Sequence, residues 1–157
     1  MKGKSEVLAE LSDRLKEELG AVNQYILHAE MCENWGYDRL SKWTKLQAIG
    51  EMKHAEKIVE RILFLEGFPK MDELAKITIG KNVKQQVEND LALEKGAVAG
   101  YNKSIDVCRK AGDHGTADFF KEILKDEEGH LDHLETELGL IEQLGLESFL
   151  AQQLDEA

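Results

Sequence analysis

The sequence has few of the residues that interrupt or cross-link a polypeptide. It contains one proline and two cysteines among 157 residues, and the cysteines form no closely spaced motif. A disulfide framework is therefore not expected, and a reducing compartment, the cytoplasm, is predicted. The sequence has no Cys-x-x-Cys-His motif, which excludes covalently attached haem.

Long apolar runs and excess positive charge are also missing. No segment approaches the roughly 20 consecutive apolar residues of a transmembrane helix, so no membrane association is predicted. No apolar core follows residues 1–5, so a cleaved secretory signal is not expected. The net charge of −11 argues against nucleic-acid binding, because phosphate contacts need a basic face. The same charge is compatible with attracting cations.

What the sequence does contain is typical of an all-α protein. Leucine, glutamate, lysine and alanine are abundant, and apolar residues recur at helical spacing through most of the chain. The length fits a single domain over residues 1–157. We predict three long helices over about 5–35, 39–65 and 83–110, and a fourth that follows a break at 111–113 and continues to about 144. A short amphipathic tail is predicted over 146–154.

The chain also repeats itself with an offset of 76 positions. The matching residues are Glu18, Tyr25, Glu51 and His54 in the first half, and Glu94, Tyr101, Glu127 and His130 in the second. In each half a Glu-x-x-His motif follows 33 positions after a single glutamate. Gly36 and Gly112 lie close to the midpoint of each glutamate pair. If each half folds back at its glycine, both glutamates of that half lie at the same height in a helical hairpin.

The two hairpins are predicted to be joined by a long connection. About 16 residues between the second and third helices can stretch roughly 50 Å, the length of a helix, and a tight turn would not need them. The second and third helices should therefore run parallel. The expected fold is a four-helix bundle with one long crossover, a short fifth helix at the C-terminus and a pseudo-twofold axis between the hairpins.

The duplicated motif predicts a dinuclear metal centre. Residues three apart on a helix project from one face, so each Glu-x-x-His presents both ligands together. With one glutamate from each remaining helix, the candidate ligands are Glu18, Glu51, His54, Glu94, Glu127 and His130. Two divalent cations would balance the four carboxylates, which otherwise repel one another when buried. An isolated Glu-x-x-His is more often a solvated helix face, but two matched copies favour the metal site.

The donor set narrows the choice of metal. Carboxylates with two imidazoles suit iron or manganese better than copper, and the absence of thiolate argues against zinc or an iron–sulfur cluster. Iron fits the redox chemistry, since two Fe(II) ions can deliver two electrons to O₂ or peroxide. Glu51 and Glu127 are predicted to bridge the two ions.

Four further residues have alternative interpretations. Tyr25 lies about two turns from Glu18 on the same face, so it either hydrogen-bonds a ligand carboxylate or packs in the core. His28 and His133 are expected to be ordinary partly buried or surface histidines. Met52 leaves the metal face by about 100°, which by spacing alone indicates a subunit interface or minor core packing.

The chain resembles the bacterioferritins of the ferritin-like superfamily over nearly its whole length. The motifs that carry the resemblance lie at residues 1–3, 24–25, 34–36, 51–56, 60–67, 90–94, 126–130 and 134–138. The resemblance implies a ferroxidase with two Fe ions per subunit that stores ferric mineral inside a 24-subunit shell built of twofold dimers. It also implies haem b shared between two subunits through Met52 of each. Tyr25 is a further candidate catalytic residue beside the six ligands, because a phenol near an oxidising di-iron site can donate an electron. O₂ or H₂O₂ would be the oxidant, and a ferredoxin-type reductant is a further candidate partner.

The sequence departs from this family at three positions. Leu46 and Gly50 stand where some members carry a histidine and an acid facing the cavity, which puts an accessory cavity-surface iron site in doubt. Tyr101 stands where a tyrosine is not expected. Two alternatives to the storage function are a rubrerythrin-like di-iron peroxidase without a shell, which usually carries a rubredoxin-like Cys₄ domain that is missing here, and a helical interaction protein with an acidic surface.

Overall fold

The computed structural model describes residues 1–155 and is built from four long helices and one short one. They are α1 (Ser5–Asn34), α2 (Asp38–Phe64), α3 (Val83–Lys110), α4 (His114–Leu144) and α5 (Leu146–Ala151). The predicted all-α fold is confirmed. The last two residues of the predicted domain, 156 and 157, lie outside the described part of the chain. Within that part, no helix combines the length and apolar character needed to cross a membrane.

Each half of the chain forms a helical hairpin with the same turn. Gly36 and Gly112 have φ values of 87° and 78°, a conformation that glycine adopts without the steric penalty of a Cβ atom. The amide that follows each glycine donates to a carbonyl of the preceding helix, Tyr37 to Cys32 and Asp113 to Cys108. The predicted fold-back points are therefore confirmed, and the two turns are equivalent.

The crossover occupies residues 65–82 and lies along α1. It starts beside the N-terminus, where the Gly3 amide donates to the Leu65 carbonyl over 2.8 Å. Further on, the Ala75 amide donates to the Lys16 carbonyl, and the Gly80 amide donates to the imidazole of His28. The crossover thus runs in the direction of α1 and brings α3 to the far end of the bundle. Because α1 and α2 are antiparallel, α2 and α3 are parallel, as predicted.

Buried apolar side chains form two main clusters, one toward each end of the bundle. The first combines residues of all four long helices, including Leu11, Ile58 and Phe120. The second includes Leu134 and Phe149, and Phe149 attaches α5 to the bundle with 3% of its surface exposed. The buried acids and histidines of the repeated motif lie between these clusters, where the chain forms its candidate functional site.

Candidate metal centre

The structure brings all six predicted ligands together inside the bundle. α1 and α3 contribute Glu18 and Glu94, while α2 and α4 each contribute a Glu-x-x-His pair. The four glutamates and His54 are no more than 4% exposed, and His130 is half-buried. Ionisable groups at this degree of burial need charge partners, because an isolated buried charge carries a large desolvation cost.

The six residues form two overlapping clusters with ligand atoms within 4.8 Å of one another. One cluster consists of Glu18, Glu51, His54 and Glu127, and the other of Glu51, Glu94, Glu127 and His130. Glu51 and Glu127 belong to both clusters. These are the two residues predicted to bridge a pair of ions, and their shared position is the geometry that a bridge requires.

The carboxylates are poorly satisfied by the protein alone. One oxygen of each glutamate has no hydrogen-bond partner among the described residues: Glu18 Oε2, Glu51 Oε1, Glu94 Oε2 and Glu127 Oε2. Burial, reinforced by the neighbouring charge of Glu51, raises the pKa of Glu18 well above its usual value. Burial, together with the adjacent Glu127, raises the pKa of Glu94 to about 8. Buried acceptors without donors fit divalent cations, which would satisfy the oxygens and neutralise the charge.

The two imidazoles point their Nδ1 atoms into the carboxylate cluster. His54 Nδ1 lies within hydrogen-bond distance of Glu127 Oε1, at 3.1 Å. His130 Nδ1 lies 3.1 Å from Glu51 Oε1, but in a geometry that forms no hydrogen bond. Burial lowers the pKa of each ring, but the surrounding carboxylates outweigh this effect. They raise the pKa of His130 to about 12 and that of His54 well above its usual value. A cation between the side chains would therefore displace protons on binding.

Two tyrosines hydrogen-bond to Glu18 and Glu94, the two glutamates that each belong to only one cluster and are called the terminal glutamates below. Tyr25 Oη donates to Glu94 Oε1, and Tyr101 Oη donates to Glu18 Oε1, each over 2.5 Å. Both phenols are essentially inaccessible to solvent. Burial is the main cause, and the charges of nearby carboxylates the second, that raise the pKa of each phenol well above its usual value. Of the two interpretations of Tyr25, the hydrogen bond to Glu94 favours contact with a predicted ligand carboxylate. Tyr101 makes the equivalent contact with Glu18.

A second buried network adjoins the centre, and the sequence analysis missed it. Asp90 accepts hydrogen bonds from Gln24 and His28, each over 2.9 Å. The other nitrogen of His28 accepts from the Gly80 amide, so the ring is neutral, with its proton on the side of Asp90. The expectation that His28 is partly buried or at the surface is wrong, since its exposure is 0%. Asp90 lies one helical turn before Glu94, so the two acids share one face of α3. That spacing could have identified Asp90 from the sequence.

Met52 lies outside this centre. Its side chain is 44% exposed, consistent with the predicted 100° offset from Glu51 around α2. Other large apolar side chains of the α1–α2 hairpin are also exposed, among them Ile26 at 45% and Ile49 at 39%. Met52 is therefore one of several large apolar side chains of this hairpin that the rest of the described chain leaves uncovered.

A cavity of about 330 Å³ lies between α1, α3 and the crossover and reaches the centre. Its wall includes Glu18 and Glu51 and several small residues, among them Gly20, Ala21 and Gly96. The cavity is large enough for small substrates to approach the two glutamates.

Comparison with known proteins agrees with this architecture. Residues 8–144 match the ferritin family, described as a ferritin-like domain. The chain is 46% identical to a bacterioferritin of Brucella melitensis over 149 residues, which cover 95% of this chain and 92% of that protein. It is 43% identical to a bacterioferritin of Mycolicibacterium paratuberculosis over 152 residues, 97% and 96% of the two chains. A bacterioferritin of Rhodobacter capsulatus is 40% identical over 149 residues, 95% of this chain and 92% of that protein.

Proposed function

Because the chain belongs to the ferritin-like family and is a bacterioferritin-type member of it, we propose that it oxidises Fe(II) and stores the ferric product. The observation that carries this proposal is the pair of overlapping clusters that share Glu51 and Glu127. Such sharing suits two ions held about 3.5–4 Å apart. Four carboxylates and two imidazoles are hard and borderline donors that suit iron.

In this proposal the six residues hold two Fe(II) ions as substrates. Glu18 and His54 bind one ion, Glu94 and His130 bind the other, and Glu51 and Glu127 bridge them. Two Fe(II) ions supply two electrons. With two protons these electrons reduce O₂ to H₂O₂, or reduce H₂O₂ to two molecules of water. Tyr25 and Tyr101 orient the terminal glutamates through their hydrogen bonds.

We also propose that the protein assembles into a 24-subunit shell of twofold dimers in the cytoplasm. Exposed apolar side chains on α1 and α2, including Leu27 at 44% and Leu46 at 62%, support burial against other copies. The net charge of −11 would favour accumulation of iron cations within such a shell.

Haem b is proposed to bind between two subunits through Met52. A thioether can ligate iron without losing a proton, and methionine ligation raises the haem potential. The half-exposed side chain of Met52 and its exposed neighbour Ile49 fit a flat apolar group at a subunit contact. A twofold axis would supply the same methionine from both subunits. Such a haem would carry electrons from a ferredoxin-type reductant toward stored ferric iron.

The function is tested by adding Fe(II) to the metal-free protein in air. Absorbance monitors the oxidation, and particle mass is measured before and after the addition. A large particle that gains mass as Fe(II) is oxidised is expected. Glu94→Ala should abolish fast oxidation and leave the bundle folded, since it removes one repelling carboxylate. Glu88→Ala, on the exposed surface of the same helix, is the matched control. A small particle that retains no iron would refute storage, and parental oxidation by Glu94→Ala would place the oxidation site elsewhere.

A further inference from the structure

The internal repeat makes the two halves of the metal centre nearly equivalent. His54 Nδ1 lies 3.1 Å from Glu127 and 3.6 Å from Glu18. Its counterpart His130 Nδ1 lies 3.1 Å from Glu51 and 3.5 Å from Glu94. The two tyrosine–glutamate hydrogen bonds also match at 2.5 Å. A contact on one side of the centre therefore predicts the corresponding contact on the other side.

One contact breaks this equivalence. The outer nitrogen of His54, Nε2, lies 2.9 Å from Asp126 Oδ2. The counterpart of Asp126, 76 positions earlier, is Gly50, which has no side chain to offer to His130. No described residue hydrogen-bonds to Nε2 of His130. Asp126 therefore orients one imidazole of the centre, and glycine leaves the other without a partner.

The two imidazoles also differ in solvent access. The side chain of His54 is 5% exposed, and that of His130 is 20% exposed. A Cβ atom built on Gly50 would have no atom within 4 Å, so the space beside this position is open. The less constrained imidazole is thus also the one nearer to solvent.

We propose that the two metal positions are inequivalent, and that the His54 position binds its ion more tightly than the His130 position does. This inference rests on the proposed function. A carboxylate on the outer nitrogen fixes the tautomer and orientation of a metal-binding histidine and raises its basicity. Loss of such a partner typically lowers metal affinity by about 10–100-fold. Asp126 is in this view a positioning residue that acts through His54.

Co(II) is a suitable probe, because it binds carboxylate–imidazole sites and does not turn over under anaerobic conditions. Titration of the metal-free protein should show two binding steps per chain, with dissociation constants that differ by about 10-fold or more. Crystals equilibrated with about one Co(II) per chain should show anomalous density mainly at the His54 position. Neither measurement depends on oxidation activity.

Substitutions at positions 50 and 126 test the cause. Gly50→Asp, which the open space can accommodate, should tighten the weaker step by about 10-fold and bring the two occupancies together. Asp126→Gly should weaken the tighter step by a similar factor. The double variant Gly50→Asp/Asp126→Gly should move the anomalous density to the His130 position. Gly50→Ala removes the glycine without adding a carboxylate, so it should behave as the parent does.

Three results would overturn parts of this interpretation, and they can be told apart. Two equal Co(II) sites in the parent protein would refute the inequivalence while leaving the metal centre in place. Unequal sites that Gly50→Asp and the double variant leave unchanged would refute the role of Asp126. A parent protein that binds no Co(II) at all would instead refute the proposed function.

Discussion

At the scale of single residues, Tyr25 and Tyr101 are the clearest candidates for a role in the chemistry beyond ligation. Each phenol donates to a terminal glutamate of the centre. A phenol at that position can supply an electron when Fe(II) is scarce. Phe at either position should therefore change the transient radical signal seen by electron paramagnetic resonance after O₂ addition. It should also lower the free energy of unfolding of the metal-free protein by about 1–3 kcal/mol, because a buried acceptor loses its donor.

The third tyrosine of the chain gives the control for this prediction. Tyr37 follows the first hairpin turn and belongs to the apolar cluster that contains Phe149. Tyr37→Phe should leave the radical signal unchanged. If Tyr25→Phe and Tyr101→Phe both give the parental signal as well, the two phenols have a packing role only.

The protonation of single residues predicts how metal binding depends on pH. Glu94, whose pKa is about 8, carries its proton at pH 6.5 in the metal-free protein, and a ligand carboxylate must lose it. Metal binding should therefore release this proton below pH 8, and affinity should rise as pH increases from 6 toward 8. An indicator dye during anaerobic Co(II) titration measures the release. Glu94→Gln should release fewer protons at pH 6.5; equal release would assign the proton to another group.

The residues that sequence analysis identified are those whose side chains repeat. The six candidate ligands could be selected because two copies of one motif at one offset are improbable on a solvated surface. Asp126 was missed because its counterpart is glycine, so it has no repeated partner. Asp90 and His28 were missed for the same reason, since the corresponding positions 14 and 104 carry arginine and serine. A pattern based on duplication detects what the halves share and overlooks what distinguishes them.

At the scale of helices and loops, most of the architecture could be predicted. The ends of the four long helices agree with the prediction within one or two residues, because glycines and Pro69 mark the breaks. The parallel arrangement of α2 and α3 followed from the length of the crossover. The attachment of the crossover to α1 could not be predicted. It depends on the backbone amides of Thr78 and Gly80, which donate to the side chains of Gln24 and His28. Such contacts form between segments far apart in sequence and leave no periodic signal.

The short helix α5 is predicted to support assembly more than chemistry. A helix of six residues is not stable alone, and this one depends on burial of Phe149. Removing residues 146–157 should weaken the shell, measured as particle mass, and leave Co(II) binding to each bundle intact. Phe149→Ala should lower the free energy of unfolding by about 3–5 kcal/mol, whereas Gln152→Ala, at an exposed position, should not. A truncated chain that still forms a parental shell would show that α5 is dispensable.

At the scale of the whole molecule, Met52 makes a prediction about stoichiometry. One methionine from each of two subunits supplies two axial ligands, so the protein should contain about half a haem per chain. Met52→Leu should lose the haem and keep Fe(II) oxidation, because Met52 is 44% exposed and lies outside the ligand cluster. Absorbance at the Soret band and pyridine haemochrome assay measure the content. Parent protein expressed with haem supplied but showing no Soret band would make Met52 an interface residue only.

The sharing of Glu51 and Glu127 between the two clusters has a consequence during biosynthesis. Every cluster includes Glu127, which lies on α4, the last long helix to leave the ribosome. A nascent chain that has completed only its first hairpin carries Glu18, Glu51 and His54 but lacks the partner that closes their cluster. Neither metal position can therefore be completed before translation has passed α4. An unfinished chain thus has no centre at which iron could react with oxygen outside a completed bundle.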